Sequence, residues 1–233
     1  MKHNFIILLA LLFISQGCTN TEKKKNTETI ETQFNQELAN ELDKLADVDQ
    51  TAANVPRGKF KDYSKEEFNA YKDSVFTANK KRAEEILDEY GYPGIDLVGE
   101  EGSSNFWLIV QHCDFDPEFQ KRVLKLMKAE LDKGNANGKN YAYLTDRVRK
   151  NTGQKLLYGT QVVYNNQGQA VSMPLEDSAN VNVRRAEVGL PPLEAYLNSM
   201  TKFHFQINKE MMLKRGIEEP ILYEVPGQND SIQ

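Results

Sequence analysis

Apolar residues recur every three or four positions along most of this 233-residue chain, a spacing that predicts amphipathic α-helices. The first such stripe occupies residues 30–48, and a longer one occupies about 65–90. Ser64 and Glu67 have the spacing of a capping box at the start of the second helix. The apolar run 106–110 is compatible with a buried strand or a buried helix, because periodicity alone does not separate the two.

The second half of the chain adds more helices and one change of period. Asp116 followed by Pro117 predicts an N-cap and a first-turn proline. Further helices are predicted over about 139–151, 178–188, 191–200 and 208–215. Residues 161–164 and 169–172 flank a polar turn ending in glycine, which predicts a β-hairpin. The predicted fold is therefore mainly α (α+β), a compact helical domain with one small β-hairpin inserted late.

Composition divides the chain into parts and excludes one class of partner. The predicted parts are a lipoprotein signal peptide at 1–17, a flexible tether at 18–28, an N-terminal helix and linker at 29–57, a globular domain at 58–205, and a C-terminal helix and tail at 206–233. The 34 Asp and Glu residues outnumber the 29 Lys and Arg residues. A mildly acidic chain without a long basic tract is a poor nucleic-acid binder, so we expect no nucleic-acid partner.

The N-terminal segment has the pattern of an export signal. Lys2 precedes an apolar run at 5–14, which is far shorter than the roughly twenty residues that a membrane span needs. Cys18 follows Gly17, which resembles the lipobox of bacterial lipoproteins. By that resemblance Cys18 is acylated and anchors the protein in the bacterial cell envelope, facing the periplasm. The alternative is an ordinary signal peptide followed by a free cysteine.

A polar cluster follows the apolar run and contains the first candidate site. His112 and Asp114 are compatible with a general base and its orienting acid, and together with Asp116 they are compatible with a divalent metal. The alternatives are a hydrogen-bonded structural histidine and a helix cap at Asp116. Cys113 is expected to be a small buried group, since adjacent residues point in different directions. We predict neither a metal site nor a cofactor.

The remaining candidates lie around the predicted hairpin. Asp146 and Arg147 are helix neighbours that cannot face each other, so each needs its own partner. Arg147 suits either a bidentate anion contact or a structural ion pair. Of Arg184 and Arg185, only one can face inward on a helix, and the other is expected at the solvated surface. A segment with hydroxyl and amide groups beside Gly159 leads into the hairpin and comprises Tyr158, Thr160 and Gln161.

Several segments, in this order, resemble a bacterial family of unknown function, DUF6624. They are residues 90–93, 97–99, 107–112, 116–120, 143–148, 158–161 and 184–193. The resemblance covers about 75–200 and leaves out the helix at 30–48 and the tail after 205. It implies no activity, but it suggests that the pattern centres on a set of polar groups, namely His112, Asp146, Arg147, Gln161 and Arg185. Cys113 stands where the family pattern suggests an alanine.

Two functions follow as hypotheses. The first is a binding or accessory protein of the envelope, held at the membrane through lipid on Cys18, with a small-molecule or envelope-protein ligand. The alternative is an envelope hydrolase or transferase with His112 as general base and Arg147 as anion clamp, which requires these groups and Gln161 to converge on one pocket. The candidate catalytic residues are His112 and Asp146, and the candidate binding residues are Gln111, Arg147, Tyr158, Thr160, Gln161 and Arg185.

Overall fold

The computed structural model describes residues 33–227, so the predicted signal peptide and tether lie outside the described residues. The α-helices and strands in this range are α1 Gln36–Ala53, α2 Lys65–Tyr90, α3 Ile95–Gln111, α4 Pro117–Leu131, α5 Gly138–Asn151, β1 Val162–Tyr164, β2 Ala170–Ser172, α6 Val181–Glu187, α7 Leu193–Ile207 and α8 Lys209–Lys214, with a short 3-10 helix at Gly58–Phe60. The predicted mainly helical fold with a small late hairpin is confirmed. Within 33–227, no helix is both long enough and apolar enough to cross a membrane.

Helices α1 to α5 share the larger of two apolar clusters. Each contributes fully buried side chains, among them Leu42, Ile86, Phe106, Val123 and Leu144. The apolar run 106–110 is helical and lies in the second half of α3, which is kinked at Gly99. Helix α1 continues one turn beyond the predicted end near residue 48, because Asp49 and Ala52 extend its buried face. These helices therefore form one packed body that includes α1.

The local signals at two helix starts are confirmed. Ser64 accepts a hydrogen bond from the Glu67 N–H, and the Glu67 carboxylate accepts one from the Ser64 N–H. Asp116 accepts a hydrogen bond from the Phe119 N–H at 3.0 Å, so its carboxylate is a helix cap. Such caps satisfy amides that have no partner inside the helix.

The smaller apolar cluster joins the hairpin to α6 and α7. Its buried members are Ala170, Val181, Leu193 and Leu197. Strands β1 and β2 are antiparallel, with Val162 opposite Ser172 and Tyr164 opposite Ala170. Helix α6 begins at Val181, later than predicted, and α7 extends to Ile207, beyond the predicted end near residue 200. The chain between α5 and β1 thus connects the two clusters.

Candidate functional site

His112 lies at the end of α3 and is held by residues from two other helices. It caps the C-terminus of α3, and its imidazole Nδ1 is hydrogen bonded to Oδ1 of Asp49 in α1. Asp49 is completely buried, and its Oδ2 accepts a hydrogen bond from Asn79 in α2 at 3.2 Å. The Phe76 ring stacks on the imidazole with centroids 5.0 Å apart. The His112 side chain is 17% exposed, so a rigid frame presents part of the ring to solvent.

A carboxylate at Nδ1 gives the imidazole a defined chemical orientation. It favours the tautomer with hydrogen on Nδ1, which leaves Nε2 as a hydrogen-bond acceptor or base. Among the described residues, none is hydrogen bonded to Nε2 of His112. The Gln50 amide lies 3.5 Å from Asp49 Oδ1 and also lines an open pocket of about 400 Å³ with Arg57. This arrangement can accept a proton or hydrogen bond from a ligand.

Asp114 does not orient His112, because it is paired with Arg147. The guanidinium of Arg147 donates from Nε and Nη2 to the two carboxylate oxygens at 2.7 and 2.9 Å, and Asn151 donates to Oδ1 at 2.8 Å. Burial favours the protonated acid, but the Arg147 charge and these hydrogen bonds outweigh burial and lower the pKa of Asp114. The bidentate edge of Arg147 is therefore occupied within the protein. No cluster of three metal-ligating side chains occurs within 33–227.

Asp146, the neighbour of Arg147 on α5, points in a different direction from this ion pair and is completely buried. Its carboxylate accepts hydrogen bonds from the backbone N–H groups of Leu157, Tyr158 and Thr160 and from the Thr160 hydroxyl, at 2.8–3.3 Å. The expectation that Asp146 and Arg147 take separate partners is confirmed. We call residues 157–160 the connecting loop, and Asp146 fixes its backbone donors.

Side chains from α6 and α7 hold the carbonyl groups of the same loop. The donors are Arg184 Nε to Leu157, Arg185 Nη1 to Tyr158, and the Tyr196 hydroxyl to Thr160. Arg185 is buried, and Arg184 also pairs with Asp177 and is partly buried, so the expectation that one of the two arginines is solvated surface is wrong. The long Arg184 side chain lies along the protein and reaches the Leu157 carbonyl instead of extending into solvent.

Arg185 is the largest fully buried side chain of the described residues. It donates to the Pro191 carbonyl at 2.7 Å, and its guanidinium carbon lies 5.1 Å from the centre of the Tyr196 ring. Burial lowers the pKa of Arg185 and raises the pKa of Tyr158 to about 12. Within residues 33–227, no carboxylate lies within 4 Å of this guanidinium. Arg185 therefore binds main chain, with an aromatic face in place of a paired anion.

The candidate residues fall into separate contact groups. Asp146, Tyr158, Thr160 and Arg185 meet around the connecting loop, whereas His112 contacts Asp49. Gln161 begins the hairpin region, where its carbonyl accepts the N–H of Met173 at 3.1 Å. The Gln111 carbonyl is 3.4 Å from the Gln120 amide nitrogen. In the described part of the chain, no hydrogen bond joins His112 to Arg147, Asp146 or Gln161.

Sequence reasoning missed three residues that hold His112. Asp49, Asn79 and Phe76 lie on helices predicted from their apolar stripes, but none of them was a candidate. The available signal was Asp49 itself, which continues the buried face of α1 one turn after Ala46. A carboxylate on the buried stripe of a helix needs a polar partner inside the protein.

Cys113 is a structural residue, as predicted. Its side chain is buried, and its Sγ atom lies 3.5 Å from the Ile109 carbonyl. Burial raises the pKa of Cys113 to about 12, which disfavours the nucleophilic thiolate at neutral pH.

The geometry defines a mainly helical domain with a framed histidine and a connecting loop held by buried charges. The chain belongs to DUF6624, a family of unknown function, whose model matches residues 36–205. The match begins at the start of α1, well before residue 75, where the resemblance was expected to begin. Helix α1 contributes both core residues and Asp49, which is why it belongs with the domain. No curated protein and no solved structure matches the chain.

Proposed function

We propose that this chain is a lipid-anchored protein of the bacterial cell envelope, facing the periplasm, with a binding or accessory role. The apolar run at 5–14 and the cysteine at 18 support the anchor. The polar residues that follow suit a tether. The ligand would be a small molecule or an envelope protein.

One observation carries the binding role, namely the partly exposed imidazole of His112 in its frame. Asp49, Asn79 and Phe76 restrict the ring before any ligand arrives. A polar group that is already oriented loses less conformational freedom on binding, which favours affinity. We therefore place the ligand contact at the exposed edge of His112.

Lipid attachment at Cys18 is the first testable prediction. When the full chain is produced in a bacterium that processes lipoproteins, we expect the mature protein to begin at Cys18. Intact-mass measurement should show a mass above that of the polypeptide by its acyl chains. Cys18→Ser should abolish this addition because the acceptor thiol is lost.

The second cysteine provides a matched control for this experiment. Cys113→Ser makes the same chemical change at a buried position, so the acyl mass should be retained. A mature wild-type chain without added mass would show an ordinary signal peptide and contradict the anchor. Equal loss of acylation in both variants would point to misfolding or failed export instead.

A second candidate function is hydrolysis or group transfer with His112 as general base. The specific observation in its favour is the buried Asp49 carboxylate at Nδ1, which orients the ring and leaves Nε2 as the nitrogen that can take a proton. The occupied bidentate edge of Arg147 does not support the anion clamp of that hypothesis, so substrate contacts would come from other groups.

The ring tautomers provide a test that needs no substrate. In long-range ¹H–¹⁵N spectra near neutral pH, a general base at His112 requires hydrogen on Nδ1 and a bare Nε2. His204 is an internal control, because its Nδ1 lies 3.2 Å from the Asn208 amide nitrogen and should accept that hydrogen bond. We therefore expect opposite tautomers for the two histidines.

Substitution of the control residue assigns the signals. His204→Gln should remove one set and leave that of His112. A His112 ring protonated on both nitrogens, or only on Nε2, would exclude the general-base candidate. It would leave the binding role, in which the same edge donates a hydrogen bond.

A further inference from the structure

Helices α7 and α8 carry apolar side chains on two sides. One side packs on the hairpin, where Thr201 accepts a hydrogen bond from the Ala170 N–H and His204 stacks on Tyr164. Met212 in α8 is buried against Gly168 at the hairpin turn. The other side faces solvent and includes Phe203 and Ile207, which are 60% and 63% exposed. Packing within the domain explains the apolar side chains that face the hairpin, but it does not explain those that face solvent.

The solvent-facing side continues from α7 into α8. We call Phe203, Ile207, Met211 and Leu213 the apolar surface. All four side chains are exposed, and the last three line one open pocket of about 850 Å³. An exposed group of large apolar side chains is typical of an interaction surface.

Lysines border this surface. Lys202 lies beside Phe203, and Lys209 and Lys214 line the pocket itself. None of the three has a carboxylate within 4 Å among the described residues. Residues 202–216 contain four basic residues and one acidic residue, Glu210, although Glu218 and Glu219 follow and the whole chain is acidic. Apolar side chains bordered by unpaired lysines fit an anionic lipid surface, where lysine stems lie along the apolar region and their ammonium groups reach the phosphates.

The surface lies at and beyond the C-terminal end of the family match. The family match ends at residue 205, so α8 and the pocket lie beyond it. The proposed anchor at Cys18 lies before the match. We propose that the apolar surface contacts an anionic phospholipid membrane and orients the anchored domain on it. This proposal rests on the proposed lipid anchor for its location, but the contact itself needs only the apolar surface and its lysines.

Hydroxyl-radical footprinting of the full chain tests the contact at the level of side chains. The purified chain is placed in vesicles of phosphatidylcholine with or without phosphatidylglycerol, and side-chain oxidation is measured by peptide mass spectrometry. We expect oxidation of Phe203 and Met211 to fall several-fold when phosphatidylglycerol is present. Met212, the buried neighbour of Met211, should react slowly in every condition.

Matched substitutions separate the surface from general changes in solubility. The triple variant Phe203→Gln, Ile207→Gln and Met211→Gln should lose the protection of the remaining exposed residue, Leu213. Val55→Gln replaces an apolar residue that is 74% exposed outside α7 and α8, and it should keep the protection. Lys209→Gln with Lys214→Gln should weaken protection only in vesicles that contain phosphatidylglycerol.

Three outcomes would overturn the proposal. Equal protection in neutral vesicles would exclude an anionic lipid partner, and no protection in either vesicle would exclude a membrane contact. Protection without vesicles that rises with protein concentration would show a second copy of the chain on this surface.

Cys18→Ser separates the two proposals. If protection persists at high lipid concentration without the acyl mass, the surface proposal stands and the anchor is not needed for it.

Discussion

Asp146→Ala is expected to lower the free energy of unfolding by at least about 4 kcal/mol. The substitution removes one completely buried carboxylate and leaves several donors of the connecting loop without their acceptor. It also removes a negative charge near the buried Arg185, which has no paired anion in the described structure. Urea unfolding monitored by circular dichroism measures the loss of free energy. In thermal unfolding, the melting midpoint should fall by roughly 10 °C.

The adjacent residue provides the control. Arg147→Ala removes an ion pair whose two side chains are partly exposed, so we expect a loss of only about 1 kcal/mol. Alanine is a better helix former than either residue, and it gains more over Asp than over Arg, so helix propensity cannot account for a larger loss at Asp146. Comparable losses in the two variants would show that Asp146 does not hold the connecting loop.

Gly159→Ala is expected to cost about 2–4 kcal/mol of stability, because two effects combine. Gly159 has φ +70°, a conformation that disfavours side chains. An added Cβ would lie 2.8 Å from Cδ1 of Leu193 and 3.1 Å from Oγ of Ser172. The second effect requires the side chains of Leu193 and Ser172 to shift away from the connecting loop. The same unfolding measurement gives the size of the loss.

Gly153→Ala separates these two effects. Gly153 has φ +73° but no atom within 4 Å of an added Cβ, so this variant reports the backbone effect alone. We expect a loss of about 1–2 kcal/mol there, smaller than at Gly159. Equal losses would mean that the close approach at Gly159 relaxes without penalty.

The sequence predicted elements best where period and cap agree. Helix α2 has both an apolar stripe and the Ser64–Glu67 box, and both hydrogen bonds of that box are present. The run 106–110 stayed undecided because it is apolar at every position, which leaves no period to measure. The end of α7 was missed because Thr201 and His204 pack on the hairpin while Phe203 faces solvent, the reverse of the usual pattern.

The site was less predictable because its contacts join distant parts of the chain. His112 was a candidate, but its acid, Asp49, lies 63 residues away. The nearer Asp114 has the same chemistry, and only the packing of α5 against the end of α3 brings Arg147 to it. Local spacing identifies which residues need partners, and the three-dimensional arrangement of the helices decides which partners they take.

The connecting loop has a consequence for evolution. Its backbone N–H and carbonyl groups are hydrogen bonded to the side chains of Asp146, Arg184, Arg185 and Tyr196. The one side chain of the loop that joins these contacts is the Thr160 hydroxyl, which donates to Asp146. The side chain at 157 can therefore diverge between relatives without weakening these contacts. Selection should act instead on the four side chains that bind the loop backbone and on the glycine at 159. Relatives can thus carry different side chains beside the hairpin and keep the same backbone contacts between the two apolar clusters.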